Sequence, residues 1–148
     1  MAEEFAFNRP HYVISLNSTY QPAPAASTTY YFGNAPQIPG VTPTLTLITV
    51  PIRGPVLVAH IDIVTIGLAS AETGSIYLRV NDTTDYLISS AVTWNTLHSS
   101  ITNTTFPLTD DGELAPTDYV EIKVVTPAWG TLPTNVRYFG YLRFGMYV

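Results

Sequence analysis

The chain has 148 residues and a formal net charge of −5, with only 11% charged residues, 46% hydrophobic residues and no cysteine. That length fits one domain on the prior of roughly 100–200 residues per domain, and the apolar content supplies a core and excludes a disordered chain. The acidic balance argues against a nucleic-acid partner, and the lack of cysteine excludes a disulfide scaffold, a thiolate zinc site and a cysteine nucleophile.

The first 43 residues are rich in proline, and eight of the 12 prolines fall before residue 56. Proline fixes φ and lacks a backbone donor, so a regular internal sheet is not expected here. We predict an extended N-terminal arm over residues 1–43 with short β pieces at His11–Leu16 and Thr28–Phe32. The start of the arm carries aromatic and basic side chains that cannot be buried locally. They can dock onto a neighbouring molecule or back onto the chain's own sandwich, and we predict docking onto a partner. These arm residues are Phe5, Phe7, Arg9 and Tyr12.

From residue 44 onward apolar and polar residues alternate with period two, and the polar positions are mostly threonine. This alternation is typical of half-buried strands, and about eight strands at regular spacing indicate a sandwich or barrel. We predict an all-β, jelly-roll-like antiparallel β-sandwich over residues 44–148. The segment between Ile66 and Gly74 fits either one helical turn or a hairpin loop. The predicted strands are Thr44–Val50, Pro55–Ile66, Ser75–Val80, Asp85–Ser90, Ala91–Asn95, Thr104–Leu108, Asp118–Val125 and Asn135–Val148.

The final predicted strand, Asn135–Val148, carries large apolar or aromatic side chains on both of its faces. An outer strand of a monomer is expected to keep one polar face. Two interpretations stay open: a central strand whose second face the arm covers, or a strand at a subunit interface, where Tyr and Arg are enriched and Lys is depleted. The second interpretation predicts an oligomer interface formed by Phe139, Tyr141, Arg143 and Tyr147.

Candidate catalytic residues are sparse in this chain. Its three histidines are His11, His60 and His98, and no segment carries a nucleophile motif or a phosphate-binding glycine loop. His60 and Asp62 share one face of a predicted strand, but a lone pair of this kind is more often a hydrogen bond than a metal site. We therefore expect no enzymatic activity, no catalytic residue, no metal and no cofactor.

Two other groups of candidate ligand-binding residues lie near predicted turns. Asp110 and Asp111 offer the oxygens that calcium prefers, although Asp-Gly between two strands is first a turn signal. Trp94 and Trp129 lie beside turn residues, and an exposed indole can stack on a sugar ring. Both tryptophans are therefore candidate glycan contacts, with burial between the sheets as the alternative.

The arm, the Thr-rich sandwich and the aromatic run Tyr-Phe-Gly-Tyr-Leu-Arg-Phe-Gly at 138–145 together resemble bacteriophage virion proteins with a jelly roll. The resemblance lies in the layout and covers about residues 44–148. It includes trimeric capsid decoration proteins and trimeric receptor-binding heads of tails. It implies a homotrimer on the virion surface, whose partner is the major capsid protein or another virion protein.

The function favoured by this resemblance is a non-enzymatic decoration protein that binds and stabilises a capsid lattice. A chain that starts at Met1 and holds one domain favours this reading over a receptor-binding head, and the arm provides reach across a lattice. A carbohydrate-binding module is a further alternative, and an enzyme is the weakest. We expect neither a membrane partner nor a signal peptide, because no apolar run approaches the ~18–20 residues of a span and the N-terminus is acidic.

Overall fold

A computed structural model describes residues 11–33, 47–51, 53–105 and 114–145 of the chain. Within these ranges the chain forms nine strands and no helix. In chain order the strands are β1 His11–Pro22, β2 Thr29–Phe32, β3 Ile48–Thr49, β4 Val56–Ile66, β5 Gly74–Val80, β6 Thr84–Val92, β7 His98–Asn103, β8 Tyr119–Val125 and β9 Asn135–Gly145.

The strands form two antiparallel sheets that enclose one core. The four-stranded sheet has the order β1-β9-β4-β7, and the second sheet has the order β2-β8-β5-β6, with the short β3 also pairing with β8. Most connections cross from one sheet to the other, and only β2–β3 and β5–β6 stay within a sheet. The architecture is a jelly-roll-like sandwich, so the predicted fold class is confirmed.

The period-two sequence pattern produces the two faces of each sheet. In β4 the side chains of Ala59, Ile61 and Ile63 are fully buried, while His60 and Asp62 between them point outward and stay partly exposed. β5 alternates in the same way over its whole length. Because successive side chains on a strand point to opposite faces, this alternation sends the apolar set into the space between the sheets.

A glycine allows β9 to lie close against β4 in the middle of the four-stranded sheet. Gly140 pairs with Ile61, and a Cβ atom built on Gly140 would lie 1.9 Å from the carbonyl oxygen of His60. No side chain fits at that distance, so the sequence of β9 needs glycine here. The neighbouring residue, Tyr141, is thereby placed directly opposite His60.

The β pieces predicted inside the proline-rich segment are present as β1 and β2. β1 is longer than predicted because it pairs with β9 along its length, with a register shift between Leu16 and Thr19. As an edge strand it can end at Pro22, whose missing N–H costs no ladder bond inside the sheet. The predicted boundary between residues 43 and 44 lies outside the described residues and stays a prediction.

Two local predictions differ from the structure, and a third segment takes one of its two predicted forms. β6 runs from Thr84 to Val92, so no separate strand exists at Ala91–Asn95. Of the two alternatives left open for Ile66–Gly74, the structure shows the loop, because Ile66 ends β4, Gly74 begins β5 and the residues between them form no helical turn. β7 at His98–Asn103 was not predicted, and the strand expected from Thr104 is not formed in the described residues. β7 is an edge strand whose outward positions carry a histidine and hydroxyls, so it lacks the apolar alternation that reveals the other strands.

Candidate functional site

The outward face of the four-stranded sheet carries the residues predicted for an oligomer interface. β9 lies between β1 and β4 and is therefore a central strand, with one face in the core. On its other face Tyr141 is 37% exposed, and Phe139 and Arg143 are half-buried. The sheet brings these three side chains onto one surface, whereas Tyr147 lies outside the described residues.

Neighbouring strands extend this surface on both sides of Tyr141. Tyr141 lies opposite Ser15 of β1 and opposite His60 of β4. Its ring stacks on the His60 imidazole with the ring centroids 5.1 Å apart and an angle of 24° between the planes. Phe139 lies opposite Asp62. The aromatic side chains of β9 therefore adjoin polar, titratable side chains of β4.

A hydrogen-bonded group from β4 and β7, here called the polar cluster, lies beside these aromatic residues. It consists of His60, Asp62, His98, Ser100 and Thr102. His60 Nε2 is 3.1 Å from Asp62 Oδ2, and His98 Nε2 is 3.0 Å from Asp62 Oδ1. Ser100 donates a hydrogen bond to the same Oδ1 atom. His60 Nδ1 is 2.8 Å from Thr102 Oγ1, so both ring nitrogens of His60 have partners.

The polar cluster keeps the carboxyl group of Asp62 ionised. Burial raises the pKa of Asp62, but hydrogen bonds from Ser100 and His98, with the charge and hydrogen bond of His60, outweigh that effect and lower the pKa below its usual value. A carboxyl group with a lowered folded-state pKa contributes stability above its unfolded pKa, and that contribution is lost as the pH falls through the folded value. Mild acid therefore leaves the charge of Asp62 in place.

Thr102, His60 and Asp62 form the order of hydroxyl, imidazole and carboxylate that a nucleophile, base and acid take in hydrolases. Acyl transfer also needs free backbone N–H groups aimed at the reacting oxygen. Around His60 the backbone of β4 pairs with β7 on one side and β9 on the other. The backbone donors next to His60 are therefore engaged in the sheet ladders.

Among the residues that the structure describes, no three or more His, Cys, Asp or Glu side chains are grouped so that they could hold a metal ion. Asp110 and Asp111, the candidate calcium ligands, lie outside those residues. The described part of the chain also contains no helix with the length and apolar character that crossing a membrane requires.

The outward face of the second sheet carries charges that compensate one another. Asp85 accepts a hydrogen bond from Lys123, the sole lysine of the chain, and lies 3.3 Å from Arg79 Nη1. Arg79 Nε is also 3.6 Å from Glu121 Oε1. The Lys123 ammonium lies 5.3 Å from the ring centroid of Tyr77. This face satisfies its ions internally, which makes it a weaker candidate for a contact surface than the four-stranded sheet.

The candidate glycan contacts, Trp94 and Trp129, are part of the core. Trp94 has no exposed surface and Trp129 is 8% exposed. Their rings meet edge to face with centroids 5.5 Å apart, and Trp94 Nε1 donates a 3.1 Å hydrogen bond to the Tyr138 hydroxyl. Burial raises the pKa of Tyr138 far above its usual value, so this hydroxyl stays protonated. Neither indole presents a face to a sugar, and the assignment of both as glycan contacts is corrected.

Of the four predicted arm residues, only Tyr12 lies within the described ranges. It belongs to β1, and its ring stacks on Phe144 with centroids 4.8 Å apart and planes within 3°. Tyr12 therefore packs against the core of its own protomer and is not free to dock elsewhere. Phe5, Phe7 and Arg9 lie outside the described residues, and their docking role stays a prediction.

Three loops expose apolar side chains at the end of the sandwich where β4 finishes. Backbone hydrogen bonds join the loops: Thr65 N–H donates to Leu97, and Ser70 N–H donates to Thr131. Leu97 is 70% exposed, the largest exposure among the large apolar residues described. The exposed apolar residues of this end, here called the apolar end, are Ile66, Leu68, Leu97 and Leu132.

Comparison with known proteins identifies a fold and no family. No protein-family model and no curated protein matches the chain. A structure of infectious bursal disease virus, Gt strain, matches with a TM-score of 0.53 and 11% identity, covering 95% of this chain and 34% of that chain. A pilus of Bacillus endospore appendages matches with a TM-score of 0.44 and 9% identity, covering 95% and 94% of the two chains. The globular domain of zebrafish complement 1qA matches with a TM-score of 0.42 and 11% identity, covering 95% and 98%.

At 11% identity the match to the infectious bursal disease virus structure shows a shared fold alone. The jelly-roll-like architecture implied by the resemblance to phage virion proteins is confirmed. Membership of a phage family is not shown and stays a prediction, as do the trimer and the capsid partner.

Two of the five residues of the polar cluster, His60 and Asp62, are indicated by the sequence. The hydrogen bond predicted between His60 and Asp62 is present. The β7 members of the cluster were missed, because β7 itself was not predicted. A usable signal was present: His98, Ser100 and Thr102 follow one another at every second position, which places their side chains on one face of any strand.

Proposed function

We propose that this chain is a non-enzymatic virion structural protein that self-associates through the outward face of its four-stranded sheet and stabilises a capsid lattice. The observation that carries the proposal is the open aromatic face of the central strand β9, with Tyr141 exposed between half-buried Phe139 and Arg143. A central strand of a monomeric sandwich would ordinarily show solvent a polar face. Tyr, Phe and Arg are the residues that interfaces enrich.

The size of the face supports an interface between copies. Four strands about 4.8 Å apart and about ten residues long cover about 600 Å² in projection, close to the ~800 Å² per partner of a standard interface once side-chain relief is counted. The exposed Val13 of β1 adds apolar area next to Arg143, with which it pairs. The outward face of the second sheet also exposes Leu87, but its charged side chains pair with one another, which makes it the weaker candidate.

Lattice binding in this proposal belongs to the residues that precede β1. β1 starts at His11, which pairs with Gly145 at one end of the sandwich, and Tyr12 is already held by the core. Phe5, Phe7 and Arg9 are the residues that we propose to contact the capsid. Such contacts stabilise a lattice by mass action, because they form with the assembled state and not with the unfolded one.

Deletion of residues 1–10 is expected to leave a folded oligomer that no longer binds capsids. The cut ends before His11, so β1 keeps its pairing with β9 and the core keeps Tyr12. Co-sedimentation with capsids measures binding, and light scattering measures the oligomer. Phe5→Ser with Phe7→Ser is the matched control at full length, and it should reproduce the loss. Undiminished capsid binding by the deletion variant would refute the assigned role of the arm.

A receptor-binding head of a phage tail is the second candidate function, and the apolar end is the observation that favours it. Four large apolar side chains lie exposed at the end opposite the one where β1 begins. Leu97→Asp with Leu132→Asp is expected to abolish binding to host cells while the mass of the oligomer stays unchanged. Capsid binding without any cell binding by the unaltered protein would leave decoration as the function.

A further inference from the structure

We infer that self-association through the four-stranded sheet is controlled by pH, with assembly near neutrality and release of protomers in mild acid. The inference rests on the proposed function, because it concerns the same face. It adds control of assembly by pH, which the aromatic residues of β9 do not provide.

All three histidines of the chain lie on strands of this sheet and point to its outward face. His60 and His98 belong to the polar cluster, and His11 is exposed at the start of β1, on the same side of the strand as exposed Val13. Histidine is the side chain that ordinarily changes charge between pH 5 and 8. All the histidines of the chain therefore lie on the proposed contact surface.

The charge balance of the face makes that change unfavourable for assembly. On the four strands of this sheet the charged residues are Asp62, Arg137 and Arg143, which give a formal charge of +1 while the histidines are neutral. Protonation of the three histidines raises it to +4. Across a two-fold contact the same surface meets its own copy, so every added charge lies near like charges of the partner copy.

The groups around the polar cluster determine whether the free or the assembled protein binds more protons. The titratable or charged groups that face Asp62 are His60 on its own strand, His98 on β7, and Arg137 and Tyr141 at the positions that flank Phe139 on β9. In a free protomer the carboxylate accepts hydrogen bonds from both imidazoles, and water solvates their outer edges. In the assembled state the partner copy replaces that water and brings further cations, so the assembled protein binds fewer protons.

Asp62 itself does not produce the transition. Burial raises its pKa, but the hydrogen bonds from Ser100 and His98, together with His60, hold the pKa below the usual value, so the carboxylate stays charged in mild acid. The sign of the effect follows from proton linkage. The dissociated state binds more protons, so lowering the pH favours dissociation.

The test is sedimentation velocity of the full-length protein at about pH 8 and about pH 5.5, the range in which histidine titrates, with circular dichroism to confirm that the fold persists. We expect the apparent dissociation constant of the oligomer to rise about tenfold or more in the acidic buffer. Raising the salt concentration at the lower pH should restore part of the association, because like charges are screened. The triple variant His11→Gln, His60→Gln, His98→Gln should associate equally at both values.

The outcomes separate this inference from the function on which it rests. A monomer at about pH 8 removes the proposed interface itself. An oligomer of unchanged affinity at both pH values overturns pH control and leaves the interface standing. If the triple variant does not assemble, the slope of the logarithm of the dissociation constant of the unaltered protein against pH counts the protons taken up, and a slope of zero overturns the inference.

Discussion

Tyr141→Asp is expected to convert the oligomer into folded monomers, with the molar mass by light scattering falling to the 16.2 kDa of one chain. Tyr141 is the exposed aromatic residue of β9, and its ring lies against His60. Aspartate removes that apolar area and adds a second carboxylate near Asp62, which a contact between copies would desolvate. Loss of a central aromatic anchor costs about 2–4 kcal/mol per interface, enough to dissociate an assembly of moderate affinity.

Leu87→Asp is the matched control for this experiment. Leu87 is also an exposed large apolar residue on a strand, but it lies on β6 of the second sheet. The same chemical change at this position should leave the mass of the oligomer unchanged. Tyr141→Phe keeps the ring and should also keep the oligomer. An oligomer of full mass from the Tyr141→Asp chain would mean that β9 does not line the interface.

Trp94→Ala is expected to lower the free energy of unfolding by about 3–5 kcal/mol, the cost of removing a large aromatic side chain from a packed core. Trp94 is fully buried and contacts Trp129 and Tyr138. The substitution leaves a cavity between these side chains and removes the indole N–H that donates a hydrogen bond to the Tyr138 hydroxyl. Gly74 shows how closely the ring is packed, since a Cβ built there would lie 2.6 Å from Trp94 Cη2. Urea unfolding of the variant measures the effect.

Trp94→Phe separates the hydrogen bond from the packing. Phenylalanine retains much of the apolar volume but cannot donate to Tyr138, so the expected loss is smaller, about 1–2 kcal/mol. Glycan binding should not be altered by either substitution, because the structure places no indole face in solvent. A Trp94→Ala chain of unchanged stability that lost binding to a glycan would contradict the buried position.

Much of the sandwich could be predicted, because a strand with one buried face shows an alternation of apolar and polar residues in the sequence. β4 illustrates this point: Ala59, Ile61 and Ile63 alternate with His60 and Asp62, and the structure buries the first set and turns the second outward. The same alternation located β5 and β8, where the core positions are also β-branched or leucine. Period two is a local property of the backbone, so it can be read without knowledge of the partner strands.

β7 could not be predicted in this way, so the three residues that it contributes to the polar cluster were also missed. An edge strand with a solvent-exposed outward face needs few apolar residues. His98, Ser100 and Thr102 therefore have the sequence pattern of a polar loop, and only their pairing with β4 shows that they belong to a strand. The tryptophans were ambiguous for a related reason. Trp94 and Trp129 are far apart in the chain, and only the closure of the sandwich brings their rings together.

The sequence by itself determined that this protein is an all-β chain, which residues form the two faces of most strands, and that β9 has an aromatic second face. Those features depend on side-chain volume, φ restriction and period two, which act within a few residues of one another. Only the tertiary structure decided that β9 is central, that both tryptophans are core, and that His60, Asp62 and His98 meet on one surface. These features depend on pairing between strands that are distant in the chain, where hydrogen-bond register and burial are settled by the whole sandwich at once.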